Sequence, residues 1–480
     1  MQHPTIVWFR RDLRVVDNPA LVDAISRGMP IIPVFIWSPE DECDWPPGTA
    51  SRWWMHHSLQ SLDNDLKKLG SRLILRQGNS MDELQNLIIE TGAEALYWNR
   101  RYEPSLVARG ADIKSEFLSQ RIEVKSFNGS LLYEPWGVLN NQEKPIKLFH
   151  DFWKACIDLP EPSTPLSSPR EIIAPVEWPK SVLIEQLDLL AEIDRVSGFH
   201  TAWTPGVKAA WEQLDRLLEE TLAHYKEDHD HPDHQGVSRL SPHLNFGEIS
   251  PRQILHAVLD YIQPNKKGAK NAWAFLRQLG RREFSHHLLF HYPFLADQPM
   301  DSAFSNFPWV SDDQLFNAWR EGRTGYPFVD AGMRELWHTG WINNRVRMTV
   351  ASFLVKDLLI PWKQGAQWFW ETLVDANLAN NAMGWQWVAG CCADASPYYH
   401  IFNPVIQGER FDPDGNYVRH WIPELAYVPN DWVHKPWEAP PLMLTEANVE
   451  LGTNYPDRIV DHAIARKSAL DSYEAISKDN

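Results

Sequence analysis

The sequence predicts a chain of mixed class: an amino-terminal α/β unit on a doubly wound parallel sheet, then a larger all-helical unit. Three observations carry this. Through residue 130, short β-branched and aromatic runs alternate with amphipathic stretches, the order that builds a parallel sheet covered by helices. Across 131–204 the periodicity fades, and "LPEPSTPLSSPREIIAPVEWP" is rich in proline and serine, as a linker crossing a surface is. From 205 to 480 the signals are helical, and no alternating strand run of useful length appears. A length of 480 residues asks for more than one core in any case, since single cores stop growing near about 250–300 residues.

The elements follow in order. "TIVWF" is a first strand. "DNPALVDAI" starts a helix, with Asn18 or Asp17 as its cap and Pro19 in the first turn. "IIPVFIW" is a second strand, and "SRWWMHHSLQSLDNDLKKLG" is an amphipathic helix ended by Gly70. "RLILRQG", "ALYWN" and "IEVKSF" are further strands with helices between them. Sheets of this kind bind ligands at the carboxyl ends of their strands. No Gly-x-Gly-x-x-Gly follows the first strand, so a dinucleotide site of the usual kind is not expected there. In the second unit, "GVKAAWEQLDRLLEETLAHY", "NAWAFLRQLGRREFSHHLLFH" and "INNRVRMTVASFLVKDLL" read as helices.

Composition narrows the function. The chain is 44% hydrophobic and 23% charged, without a low-complexity tract or internal repeat. No run of about 18 apolar residues exists, so no membrane span is predicted. The start, "MQHPTIVWFRRDLR", is a strand and not a signal peptide. Cys43, Cys156, Cys391 and Cys392 lack metal-ligand spacing, and the adjacent pair reads as buried thiols, so a monomer in a reducing cytoplasm is expected. A net charge of −17 argues against a bulk electrostatic binder of nucleic acid. The stretch 271–360 is nonetheless neutral, with nine Arg/Lys against nine Asp/Glu, and it clusters Arg281 with Arg282 and Arg345 with Arg347. The 24 tryptophans are unusual for a soluble chain, because a buried indole N–H needs a partner.

Several stretches carry possible chemistry. "HDHPDHQ" (229–235) holds His229, His231 and His234 among aspartates, yet it is a polar loop broken by Pro232, and no metal is assigned to it. "VSRLSPHLNFGEISPRQI" (237–254) offers Ser238 and Ser241 near a helix start, where hydroxyls and free N–H groups hold phosphate or merely cap. "GWINNRVRM" puts Asn344 and Arg347 three apart on one helix face, and "DANLANN" adds Asp375, Asn377 and Asn381. An Arg–Asp pair with amides beside it suits a polar heterocycle, and a structural ion pair explains the same residues. Trp309, Trp362 and Trp385 read equally as core.

Taken together, these stretches resemble the photolyase/cryptochrome family along nearly the whole chain. The resemblance rests on "VWFRRDLRVVDNPAL", "SRLSPHLNFGEISPRQ", "REFSHHLLFHYP", "EGRTGYPFVDAGMRELWHTGWINNRVRM", "ASFLVKDLLIPW", "NNAMGWQWVAG" and "IFNPVIQGERFDPDGNYVRHWIPELA". It implies a helical domain (205–480) holding FAD below a hole for an extruded pyrimidine dimer, with an antenna domain (1–130) and the linker (131–204) before it. Photolyases are among the enzymes that take their target nucleotides out of the stack. By position, Tyr225, Val237, Ser238, Arg239, Leu240, Ser241 and Phe275 look like contacts to the phosphate side of FAD. Asn344, Arg347, Asp375, Asn377 and Asn381 look like flavin-side contacts, and Asn381 is neutral, with no acidic proton to give. Trp385, Trp362 and Trp309 look like an electron chain from flavin to surface. Gln278, Arg281, Arg282, Asn344, Arg345, Met348, Trp387 and Gln407 look like DNA contacts.

The sequence departs from the family pattern at Val237, where threonine is usual, His229 (arginine), Asn377 (aspartate), Gln278 (glutamate) and Arg281 (tryptophan). A second, antenna chromophore is expected, methenyltetrahydrofolate or a deazaflavin. "NRRYEPSLVARGADI" and "FNGSLLYEPW" carry few residues assignable to either. The resemblance implies light-driven repair of cyclobutane pyrimidine dimers in UV-damaged DNA. A cryptochrome-type photoreceptor with little or no repair is the alternative.

Overall fold

The computed structural model describes residues 3–42, 44–190, 196–264, 268–394 and 399–478; Cys43 lies outside them. Five parallel strands form one sheet in the order β3-β2-β1-β4-β5. They are β1 (Thr5–Phe9), β2 (Ile31–Trp37), β3 (Ile74–Gln77), β4 (Ala95–Asn99) and β5 (Glu123–Phe127). Thr5 pairs with Ile31 on one side and with Ala95 on the other. β1, β2 and β4 are buried at every position, which is why they read as continuous apolar runs with no alternation.

Helices α1 (Pro19–Ser26), α2 (Thr49–Lys68), α3 (Ser80–Thr91) and α4 (Pro104–Ser119) connect the strands. Asn18 is the cap of α1, accepting from Leu21 N–H at 3.1 Å. Asp17 serves another purpose. It stands at φ +52°, accepts from Arg252 and Ser250 of the helical unit, and takes Leu166 N–H of the linker. Helix α2 begins two residues before the expected start, where Thr49 N–H reaches Glu371 of the second unit at 3.1 Å.

The linker differs from expectation. Residues Phe149–Asp158 form a helix, α5, whose Phe149, Phe152 and Cys156 are buried in the core of the second unit. Its apolar residues recur at helical spacing, but the proline and serine that follow hide the period. The remainder of the linker runs along the first unit, with Ile31 N–H donating to Ile173 O and Ile172 N–H to Leu69 O, both at 2.9 Å.

The second unit is helical, as expected, and its main core is contiguous. Among the described residues no helix is long and apolar enough to cross a membrane. Buried polar groups tie the units together. The Arg14 guanidinium donates to the carbonyls of Gly247, Asp17 and Gly129. Glu248 accepts from Trp54, Ser58 and Gly206 N–H. At Gly247, φ is +67° and a Cβ would lie 2.3 Å from Arg11 O, so conformation and approach both require glycine.

Candidate functional site

Two helices of the second unit, Asn344–Ser352 and Leu378–Ala389, turn unusual faces inward. Most of their side chains are buried, yet Asn344 and Gly384 are exposed, and Arg347, Met348, Asn381 and Trp387 are partly so. A Cβ built on Gly384 meets nothing within 4 Å. Asn381, Gly384 and Trp387 are three apart and share a helix face. A mid-helix glycine facing open space destabilises a helix by roughly 0.5–1 kcal/mol relative to alanine, so it suits a flat group lying against the backbone.

The polar groups around this space are fixed. Arg347 donates to both carboxylate oxygens of Asp375, at 2.8 and 3.1 Å, and its Nε donates to Ile342 O at 2.9 Å. Asn381 donates to Ala366 O at 2.9 Å. Asn377 caps its helix by accepting from Asn380 N–H and donates toward His286 Nε2 at 3.4 Å. His286 is neutral there, with Nδ1 donating to Arg282 O at 2.8 Å; burial pushes its pKa down to about 3.

The residues expected on the phosphate side lie beside this group, joined to it by one residue the sequence did not single out. Trp341 has the Arg239 guanidinium 4.6 Å over its ring and that of Arg347 at 5.8 Å, and its N–H reaches Ser241 Oγ at 3.3 Å. Arg239 stands at φ +53°, a strained conformation for a side chain of its size, and burial lowers its pKa. Ser238 Oγ accepts from Leu240 N–H, and Leu240 is buried. Tyr225 stacks on His229 and meets Phe275 edge-on at 5.5 Å. Val237 packs against the core of the first unit. Glu335 is a second residue missed from sequence. It is buried, accepts from Tyr417 O–H at 2.5 Å, and burial raises its pKa to about 7 despite the nearby Arg239 and Arg347. Both stand in the quoted stretch "EGRTGYPFVDAGMRELWHTGWINNRVRM", but residue type gives neither a role there, and long-range packing reveals it.

Trp385 and Trp362 belong to the main core, and Trp309 packs on its rim. Trp385 fits because Gly365 of the helix Trp362–Thr372 leaves room: a Cβ there would lie 2.1 Å from the indole. The ring contacts of Trp385 are to Phe369 at 5.0 Å and to Trp319 at 6.3 Å, a further tryptophan not singled out. The Trp385 indole N–H is buried without a partner among the described residues, a costly arrangement in a finished core.

The expected DNA contacts divide. Met348 Sδ accepts from Asn344 at 3.6 Å, beside the open face. Gln278 is exposed. Arg345 pairs with Asp230 at 2.5 Å and lies 4.4 Å over Phe411, in the helix that carries Gln407. Gln407 is partly buried. Arg281 lies 4.4 Å over Phe149 of α5, so its guanidinium is already engaged. The Arg282 side chain is 11% exposed and paired to Glu283. The ion pair lies within one helix, and the first unit contributes Glu103 and Tyr102 nearby.

At the carboxyl ends of β1 and β4, where strand order reverses, lies a cavity of about 150 Å³. Arg10, Trp98, Arg100, Arg101, Tyr102 and Trp136 are among its walls, so the two stretches read as antenna-related converge there. Arg10 has buried Nε and Nη1 groups without partners among the described residues, and burial, with Arg109 beside it, lowers its pKa to about 9.

The fold and this arrangement define a flavoprotein of the DNA photolyase and cryptochrome family, to which the chain belongs. Residues 5–170 match the family model of DNA photolyase, and 275–475 match that of the FAD binding domain of DNA photolyase. The chain is 45% identical to a deoxyribodipyrimidine photo-lyase of Agrobacterium fabrum, covering 99% of this chain and 98% of the relative. It is 43% identical to cryptochrome-2 of Arabidopsis thaliana, covering 97% and 78%. A solved bacterial class III photolyase from Agrobacterium tumefaciens superposes with a TM-score of 0.96 at 44% identity, covering 100% and 98%.

Proposed function

We propose that the chain is a light-driven deoxyribodipyrimidine photo-lyase that splits cyclobutane pyrimidine dimers in DNA, acting as a cytoplasmic monomer. The observation that carries this is the open face of the helix Leu378–Ala389, where Asn381 and Trp387 are partly exposed, Gly384 faces open space and Trp385 lies in the core behind. FAD, reduced and excited by blue light, supplies the electron that opens the dimer.

The chain's own residues do the rest. Arg347, held by Asp375, provides a fixed positive charge where negative charge is to be stabilised. Asn381, a neutral amide held by Ala366 O, offers no acidic proton. Trp385 passes electrons inward by way of its aromatic neighbours. Met348 and Trp387 present polarisable surface to the extruded bases. The cavity at the β1/β4 switch point is smaller than the roughly 300 Å³ lower limit of ordinary ligand sites, so it takes the ring system of the antenna chromophore and not its tail. The partnerless Arg10 N–H groups suit an anionic substituent there.

The test is a dimer-containing oligonucleotide incubated with FAD-loaded protein, with and without blue light, and resolved by chromatography. Light-dependent return of the intact pyrimidines is expected. No conversion, with light-driven reduction of the flavin intact, would transfer the assignment to a photoreceptor like the cryptochrome relative.

A further inference from the structure

The loop over residues 229–236 holds ligand chemistry that the flavin reading leaves unused. His231, Asp233 and His234 converge, with one ligand atom from each within 4.8 Å of the others. The two imidazoles are stacked, 4.9 Å apart and 21° from parallel. The turn is built by the backbone: His231 N–H donates to Asp228 O at 3.0 Å, and His234 N–H to His231 O at 3.2 Å. Gly236 closes it, since a Cβ there would lie 2.5 Å from Asp228 C and O.

His234 is oriented as a metal ligand is. Its Nδ1 lies 3.0 Å from Asp228 Oδ1. With Nδ1–H donating to that carboxylate, the lone pair falls on Nε2, which faces Asp233 Oδ1 at 3.8 Å. That gap is too long for a hydrogen bond and close to the separation of two ligands that each stand about 2.0–2.2 Å from one ion. Asp233 Oδ1 is buried and, among the described residues, has no hydrogen-bond partner. Its other oxygen has only a 3.4 Å contact from Asn416. A buried carboxylate oxygen left this way calls for a cation or a donor. His229 takes no part, since its Nδ1 lies 2.8 Å from Tyr225 O and its ring stacks on Tyr225.

We propose that His231, Asp233 and His234 bind a divalent transition-metal ion of the Zn²⁺ class, with Asp228 as the carboxylate that orients His234. Two imidazoles and one carboxylate suit such an ion, whereas Mg²⁺ and Ca²⁺ prefer oxygen ligands alone. A carboxylate on the far nitrogen of a ligating histidine is the usual supporting contact. The ion would fasten a loop already joined to the flavin side of the protein, where Asn343 donates to His229 O at 3.0 Å and Arg345 pairs with Asp230. The sequence showed the ligands but not their convergence, because Pro232 made the stretch look like an open loop.

The test is calorimetric titration of chelator-treated, FAD-loaded protein with ZnCl₂. One equivalent should bind with a dissociation constant of about 10 µM or tighter. His231→Ala and His234→Ala should each weaken binding at least tenfold. Asp228→Asn, which removes no ligand, should weaken it about 10–100-fold. Flavin content and circular dichroism of each variant establish that it is folded, and His57→Ala, far from the loop in sequence, should bind as wild type does. In the Co²⁺ form, visible bands beyond the flavin absorption should appear and vanish in His234→Ala. Absence of one-equivalent binding overturns the proposal. So does binding that survives the double variant His231→Ala/His234→Ala, or that MgCl₂ displaces as readily as it is formed.

Discussion

A side chain at Gly384 should act in opposite directions on the empty and the flavin-loaded protein. The glycine sits mid-helix, is exposed, and has no neighbour within 4 Å of a built Cβ. Gly384→Ala therefore meets no clash in the empty protein and removes the conformational penalty of glycine in a helix, about 0.8–1.0 kcal/mol. In a helical unit of this size that raises the unfolding midpoint by about 2–4 °C. If the open face is where the flavin lies, the same methyl occupies space the ring needs. Gly384→Leu places a still larger side chain there and should abolish FAD retention while leaving the empty protein folded. Differential scanning fluorimetry of apo protein and flavin fluorescence after gel filtration measure the two halves. A Gly384→Leu protein that holds FAD as tightly as wild type would refute the reasoning and move the cofactor away from this helix.

Trp385→Phe should abolish light-driven reduction of bound FAD, read as bleaching of the oxidised absorption, while chemically reduced protein still repairs dimers. Arg347→Ala leaves Asp375, only 4% exposed, without its partner; a loss of about 3–5 kcal/mol in urea unfolding and of flavin content is expected. Glu335 gives a pH dependence. Its pKa is raised to about 7, so the folded state holds a proton the unfolded state has lost, and stability falls as pH rises from about 4.5 to 7, by about 3 kcal/mol. Glu335→Gln should flatten that part of the profile. His286, held down to about 3, works in the other sense over an overlapping range, stability falling as pH drops from about 6.5 toward 3, so the Glu335 contribution is read as the difference between wild type and Glu335→Gln. Arg281→Ala should leave the salt dependence of binding to damaged DNA unchanged, since its guanidinium lies on Phe149; a log–log slope smaller by about 0.9 would show that it meets a phosphate instead.

The sheet was legible because its central strands are buried on both faces and carry little but β-branched and aromatic residues. Helix α5 was not, because its spacing of three and four between buried side chains lasts only about two turns and runs straight into a tract of proline and serine. At the flavin side, the amides and the Arg347–Asp375 pair could be named from residue type. Trp341 and Glu335 could not, since their roles arise only where segments about 100 residues apart meet, at Ser241 and Tyr417.

Arg281 and Arg282 show the limit most clearly. Read as a dipeptide, they look like one basic patch. On a helix, neighbouring residues leave the backbone about 100° apart, and these two guanidinium groups take different partners. In the helix Ala269–His291, Arg281 turns to Phe149 of α5, and Arg282 turns to Glu283 and toward Glu103 of the first unit. The neighbour that shares the Arg281 face is Arg277, four residues away, which lies 4.9 Å over the same phenylalanine ring. Arg281 and Arg282 are thus held by Phe149 and Glu283, and the positive charge beside Trp341 comes from Arg239 and Arg347, which sequence distance keeps apart and Trp341 brings together.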